Sequence, residues 1–508
     1  MNPDALLLAP DDDVAVVLRG CGDGTPLAVA GREPVVARGN VPGGHKVALR
    51  EIAAGELVRK YGHVIGVATR DVSPGEHVHV HNLAMPGEAS AFASAGAVAD
   101  VPAPPADLRR TFDGIVRPDG SVATRNYVGV LTTVNCSATV ARQIVRRTED
   151  EVAELDGVDG VVALTHGTGC GMAADGDGWR LLRRTLSGYA RHPNIGALVV
   201  VGLGCEVNAV DSLMAELGVA GHVPVESYTI QDAGGTVEAI SRGEKLVRDM
   251  GAHLAGTRRR PVAVEHLVLG LQCGGSDAWS GLTANPALGV ASDLLVTAGG
   301  TSVLGETPEI YGAERMLAQR AVRPEVADAL LERITWWEHY TRDHGTTLDG
   351  NPSPGNKEGG ITTILEKSLG AVAKAGRSPL EAVCGYAEPI PTPGLVFMDT
   401  PGYDPVSVTG MVAGGVNLVC FTTGRGSVFG SRPVPTVKLA TNADTAARMA
   451  GDMDVDCSPI VENGVDVAEL GRQVYDHLLD VASGRRSLSE QLGLGGEEMV
   501  PWQLGAVL

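Results

Sequence analysis

A chain of 508 residues is long enough for about two to four domains with ample apolar core. Its 41 basic and 61 acidic residues leave a net charge of −20, which opposes general attraction to nucleic acid or to anionic membrane surfaces. Eight cysteines are too sparse for a disulfide scaffold, no apolar run could span a bilayer, and the N-terminus has no secretory pattern; the reading is a cytoplasmic protein whose cysteines are thiols, metal ligands or core residues.

Residues 13–82 carry short β-like runs (14–18, 47–49, 64–67 and 78–80) broken by Gly and Pro, which predicts an all-β module over residues 1–82. It closes on Gly75-Glu-His-Val-His-Val-His-Asn82, where alternation puts His77, His79 and His81 on one face of a strand. That face suits a metal or an acidic substrate; a solvated edge strand is the alternative. Residues 83–107 are rich in Ala, Pro and Gly and predict a linker.

Strands and helices then alternate over 108–260 and again over 261–508, the pattern of mainly parallel sheets with crossover helices. Helices are expected at 137–154, 178–191 and 207–217. Four apolar strands each run out on a cysteine: Cys136, Cys170, Cys205 and Cys273. Beyond Cys273 two glycines turn the chain into Ser276 and Asp277, so this strand empties polar groups into the crevice at its carboxyl end, ahead of a helix opening near Pro286. The competing reading is a tight turn whose Ser and Asp cap that helix.

Four more loops follow predicted strands or lead into helices with unusual polar density. They contribute Glu306, Asn356 with Lys357, Asp404, and Arg425 with Ser427. Each alone is ordinary turn chemistry. Together at one sheet edge they favour a polyanionic, hydroxylated ligand, with Lys and Arg neutralising carboxylates and glycines admitting backbone N–H groups.

The segments Gly43-Gly-His-Lys-Val-Ala-Leu49, Gly75 to Asn82, Thr165-His-Gly-Thr-Gly-Cys-Gly171, Gly202-Leu-Gly-Cys-Glu206, Gln272-Cys-Gly-Gly-Ser-Asp277, Asn351-Pro-Ser-Pro-Gly-Asn-Lys357 and Thr423-Gly-Arg-Gly426 resemble the altronate dehydratase/galactarate dehydratase family of sugar-acid hydro-lyases. The resemblance implies a β-clip (SAF-type) N-terminal domain, a linker, a middle α/β domain that makes a homodimer, and a C-terminal Rossmann-like variant carrying catalysis. It also implies iron-dependent dehydration of a D-altronate or D-galactarate type of sugar acid to a 2-keto-3-deoxy acid in hexuronate or aldarate catabolism, with Mn²⁺ as a substitute ion. Gly75 to Asn82 and residues 434–442 look like the altronate branch, residues 272–278 and 399–401 like the galactarate branch. A sulfolactate sulfo-lyase relative leaves a second leaving group open.

Dehydration of a 2,3-dihydroxy acid requires a base for the proton beside the carboxylate, a counter-charge for the ene-diolate and a Lewis or Brønsted acid for hydroxide. Lys357 and Arg425 are candidates to hold carboxylates, and Lys357 or His166 to act as base. Ser276, Asp277, Asn356, Asp404, Ser427 and the three histidines are candidate substrate contacts. For the metal two readings stand: mononuclear Fe²⁺ on ligands such as Glu306, Asp277 or a histidine, or an iron–sulfur cluster on three of Cys136, Cys170, Cys205 and Cys273. The inert alternative is that these cysteines are buried strand-end residues. A nicotinamide oxidoreductase is disfavoured, because Gly202-Leu-Gly-Cys-Glu206 lacks the third glycine of the dinucleotide fingerprint. A non-catalytic sugar-acid-binding protein remains as a further class.

Overall fold

The computed structural model describes residues 3–87, 101–217 and 223–505. The N-terminal part is all-β. One antiparallel sheet runs in the order Ala5–Leu6, Val14–Val17, Lys46–Ala48, His77–Val78, and a second in the order Leu57–Lys60, His63–Ala68, Leu83–Ala84. The module therefore runs past residue 82, since Ala84 pairs with Val67. Of the expected linker, residues 88–100 lie outside the described residues.

The expected unit from residue 108 to 260 does not stand apart. Its first strand, Thr111–Val116, pairs with Arg260–Ala263, and Leu108, Phe112 and Val122 are buried in the C-terminal core beside Tyr475. Tyr475 donates its hydroxyl to the Arg109 carbonyl at 2.6 Å. The middle sheet is parallel, in the order Gly160–Leu164, Tyr127–Thr132, Ile195–Gly202, Val225–Thr229. Its central strands are near-continuous Val/Leu/Ile runs buried along their length, the signature of a sheet covered on both faces. The three expected helices form at Asn135–Ala153, Asp177–Ala190 and Val210–Leu217.

The C-terminal sheet has seven parallel strands, in the order Leu380–Cys384, Gly394–Met398, Thr301–Leu304, Val268–Cys273, Leu418–Thr423, Thr436–Ala440, Val455–Asp456. From Val268–Cys273 the chain adds Thr301–Leu304, skips to the edge strand Leu380–Cys384, fills the gap with Gly394–Met398, and then crosses to the other side of Val268–Cys273 with Leu418–Thr423. That reversal opens a crevice beyond the carboxyl ends of these two strands. The two α/β units share one apolar core, in which Leu131 and Leu198 of the middle sheet join Val396, Met398 and Phe421. Among the described residues no helix is long and apolar enough to cross a membrane.

Candidate active site

The turn after Cys273 is built from its own hydrogen bonds. Asp277 Oδ1 accepts from the Ser280 N–H (2.9 Å), Ser280 Oγ (3.0 Å) and Thr441 Oγ1 (2.9 Å), and its Oδ2 accepts from Asn442 Nδ2 (2.9 Å). Asn356 closes a capping box with Ser353 and donates to the Ser276 carbonyl at 2.8 Å. Both side chains, expected to touch ligand or metal, spend their polar atoms on scaffold; the following helix, Ala284–Thr297, has Thr283 as its N-cap with no side-chain cap hydrogen bond, so Asp277 ties the turn to Ser280, Thr441 and Asn442 and does not cap that helix. Their sequence positions were informative, but their roles depend on partners far along the chain. Ser276 lines a small cavity.

Directly beneath this turn lies a buried charge cluster. Cys273 Sγ is 3.8 Å from Glu306 Oε2 and 3.5 Å from Glu309 Oε2. Lys374 Nζ sits 2.7 Å from Cys273 Sγ and 3.4 Å from Glu306 Oε2. Lys367 Nζ donates to Glu309 Oε1 and to Asn351 Oδ1, each at 2.7 Å. Asp404 takes Gln272 Nε2 at 3.2 Å. Lys367 and Lys374 are seven residues apart, on the helix Ile364–Val372 and the turn Ala373–Ala375 that continues it, so both reach the same side. Glu306 is held at φ 64°, a left-handed conformation that costs a non-glycine residue on the order of 1 kcal/mol or more. Its N–H donates to Thr400 Oγ1 at 2.7 Å, which fixes the strained turn.

Burial governs the protonation of these groups. It pushes the Cys273 thiol up to about 12 and, helped by Glu309, pushes Glu306 up to about 8. Asp404 rises to about 6 for the same two reasons. Four acidic groups thus face two ammonium ions, and protons make up the missing positive charge. Glu306 Oε1 is buried without a hydrogen-bond partner, and ligand atoms of Cys273, Glu306 and Glu309 all lie within 4.8 Å of one another. Both the charge deficit and the orphaned oxygen fit a divalent first-row ion on sulfur and carboxylate ligands. Glu309, Lys367 and Lys374 were not singled out from sequence; two lysines at helical spacing inside an apolar helix were the available signal.

The β module covers this region. Lys46 Nζ donates to the Gly360 carbonyl (2.7 Å) and to Glu366 Oε2 (2.9 Å), while Lys60 Nζ donates to Glu366 Oε1 (2.8 Å). Two ammonium neighbours hold the Glu366 carboxyl well below the usual range against its burial. His45 Nε2 donates to the Glu358 carbonyl at 3.1 Å, and Glu358 pairs with Arg425 at 3.1 Å. Lys60 and Tyr61 from the module line the small cavity together with Cys273, Ser276, Glu366 and Lys367. The expected row of histidines changes form: the strand ends at Val78, and a turn closed by Asn82 places His79 beside His45 and His77 while His81 stays exposed.

The remaining predicted residues fall into two places. Lys357 and Arg425 stand at the crevice rim, half-buried and exposed respectively, and Ser427 Oγ accepts from the Phe429 N–H at 3.0 Å. His166 lies instead in the middle unit, where Nε2 donates to the Thr132 carbonyl at 3.1 Å and burial lowers it to about 4. Its Nδ1 is taken up by Thr168, so both ring nitrogens are engaged within the middle unit. Cys136, Cys170 and Cys205 are exposed beyond three adjacent strands of the middle sheet, with their loops tied by Asn135 N–H to the Thr168 carbonyl (2.9 Å) and Asn208 N–H to the Gly169 carbonyl (3.1 Å). Cys273 is buried in the other sheet, so the four cysteines do not form one set. Among the described residues the groupings with metal-ligand spacing are Cys273/Glu306/Glu309 and His45/His77/His79.

A β module closing over the carboxyl edge of a parallel sheet, above a buried Cys/Glu/Lys cluster, is the arrangement of an enzyme site with groups for acid–base chemistry. Residues 3–86 match the altronate/galactarate dehydratase SAF domain, 114–275 the second domain of D-galactarate dehydratase/altronate hydrolase, and 264–507 the D-galactarate/altronate dehydratase C-terminal domain. The chain is 37% identical over 481 residues to altronate dehydratase of Escherichia coli (94% of this chain, 95% of that one). It is 38% identical over 466 residues to galactarate dehydratase (L-threo-forming) of the same organism (90% and 88%). Identity to (2R)-sulfolactate sulfo-lyase subunit beta of Chromohalobacter salexigens is 33% over 390 residues (76% and 95%). The chain belongs to the D-galactarate/altronate dehydratase family, a family of hydro-lyases.

Proposed function

We propose that this protein removes water from a sugar acid of the altronate or galactarate type, giving a 2-keto-3-deoxy acid, in the crevice between the β module and the C-terminal sheet. The observation that carries this reading is the buried Cys273–Glu306–Glu309–Lys367–Lys374 cluster with Asp404 beside it, set beneath a rim that offers Arg425 and Lys357. Arg425 and Lys357 orient the substrate carboxylates at the rim. Asp404, pushed to about 6 and so ionised at neutral pH, takes the proton next to the carboxylate. Lys367 and Lys374 neutralise the ene-diolate charge, and the closed β module keeps bulk water from it. Iron, or Mn²⁺ in its place, would be held by Cys273, Glu306 and Glu309 and would supply Lewis-acid stabilisation of a departing hydroxyl. In this reading the C-terminal unit is a Rossmann-like variant, and the chain forms a homodimer through its middle unit.

The test uses anaerobically purified protein with added Fe²⁺, given D-altronate, D-galactarate or (2R)-sulfolactate. Keto acid from either sugar acid is expected. Sulfite released from sulfolactate alone would transfer the reading to sulfo-lyase chemistry, and no product from any of the three would overturn it.

A further inference from the structure

Three imidazoles meet on the β module where it faces the C-terminal unit. His45 Nδ1 and His77 Nε2 are 3.0 Å apart, and the ligand nitrogens of His45, His77 and His79 all lie within 4.8 Å of one another. Metal–nitrogen bonds of about 2.0–2.1 Å in a tetrahedral site put ligand nitrogens roughly 3.3 Å apart, so the His45/His77 pair already stands at ligand spacing.

The surroundings prepare these rings as ligands. The Glu358 carbonyl can only accept, so His45 carries its proton on Nε2 and its Nδ1 lone pair accepts from His77 Nε2, whose proton a cation would displace. That carbonyl plays the part usually taken by the outer partner of a metal-bound histidine. Asn82, fully buried, accepts from the His79 N–H at 2.9 Å and donates to the His77 carbonyl at 3.0 Å, which fixes the backbone of both residues. His79 Nδ1 is buried with no hydrogen-bond partner, an expensive arrangement unless something else occupies that lone pair.

We infer that His45, His77 and His79 form a second cation site, for a late first-row divalent ion such as Fe²⁺, Co²⁺ or Zn²⁺, separate from the Cys273 cluster. Imidazole nitrogen suits these ions and not Mg²⁺ or Ca²⁺. Beneath the site, Lys46 and Lys60 share the single carboxylate of Glu366, which leaves one net positive charge close by. An ion there therefore gains from an anionic oxygen in its open position, and the partly exposed rings of His77 and His79 leave room for one. The site lies next to the Glu358–Arg425 pair, at the edge of the crevice. It stands independently of which substrate the crevice takes.

The full-length protein is stripped of metal with a chelator under anaerobic conditions and titrated with Co²⁺, followed by visible absorption and by hyperfine-shifted proton resonances. Wild type is expected to show exchangeable imidazole N–H resonances from three Co²⁺-bound rings. His45→Gln and His79→Gln should each lose these resonances and bind one Co²⁺ fewer, whereas Cys273→Ser should keep them while losing thiolate-to-cobalt absorption. Circular dichroism checks that each variant is folded. Should a histidine variant not fold, the wild-type spectrum still decides. Absence of imidazole resonances in wild type, or their persistence in folded His79→Gln, would overturn the inference.

Discussion

Lys46 Nζ lies 2.9 Å from Glu366 Oε2, with both side chains shut away from solvent although they lie 320 residues apart in the chain. This pair, shared with Lys60, ties the β module to the helix that also carries Lys367. Glu366→Gln strands two buried ammonium groups, a change expected to cost about 3–5 kcal/mol. Thermal melting reads it, and an unchanged Tm would show that the interface does not depend on the carboxylate.

A fragment starting at residue 108 exposes Glu366 and the apolar Leu369 that packs on the module core. The linker composition predicts that such a fragment folds alone, but the interface argues against it. Expression of the fragment should give protein less stable than the full chain. Equal stability would restore the simpler view of a module on a string.

Arg425 and Glu358 are both exposed, so their ion pair contributes little to stability. Arg425→Lys should therefore leave Tm unchanged while raising KM about tenfold, because the planar fork that grips a carboxylate is lost. Steady-state kinetics on the active sugar acid check this. A KM equal to wild type removes Arg425 from the substrate-binding rim.

Much of the crevice was legible in the sequence because parallel strands announce their carboxyl ends: an apolar run stops and polar, glycine-rich residues follow. Cys273, Glu306 and Asp404 were picked out on that ground, and the structure brings them to one place. Lys367 and Lys374 were not, because their partners are distant in sequence. Asp277 and Asn356 show the converse: both sit at the crevice, yet tertiary hydrogen bonds consume them. The boundary near residue 108 was blurred because the strand Thr111–Val116 shares its core with a helix more than three hundred residues onward.

His192 bridges the two α/β units, donating from Nε2 to the Val416 carbonyl at 2.9 Å while Nδ1 accepts from the Asn194 N–H at 3.1 Å. Acceptance at Nδ1 requires the neutral ring, and burial, against the Val416 carbonyl that favours the charged form, lowers its pKa from 6.5 to about 4. The unfolded chain therefore binds the extra proton first: stability is intact above about pH 6.5 and falls as pH drops toward 4. The loss from this residue approaches about 3 kcal/mol. Urea unfolding at a series of pH values should show this slope in wild type and a shallower one in His192→Gln. Equal slopes would assign the acid sensitivity elsewhere, His166 being the next candidate with its own fall to about 4.

The Cys273 cluster makes a prediction that separates metal binding from folding. Without a metal, Glu306 at about 8 carries a proton at neutral pH, so its side chain is already close to an uncharged amide in charge and shape. Glu306→Gln should leave the melting temperature of metal-free protein nearly unchanged. Metal changes the balance: a divalent ion bound to the folded state stabilises it by mass action, by about 2.7 kcal/mol at a free concentration one hundred times Kd. Wild type should gain such an increment from each occupied site on addition of Fe²⁺ under anaerobic conditions, with proton release from Cys273 and Glu306, and Glu306→Gln should lose the part that comes from the Cys273 cluster, along with turnover, while keeping the part that comes from the histidine site. Scanning calorimetry of both proteins, with and without Fe²⁺, measures this. Full metal-dependent stabilisation in Glu306→Gln would mean that the orphaned Oε1 faces something other than an ion, and the metal would have to be sought away from the Cys273 cluster.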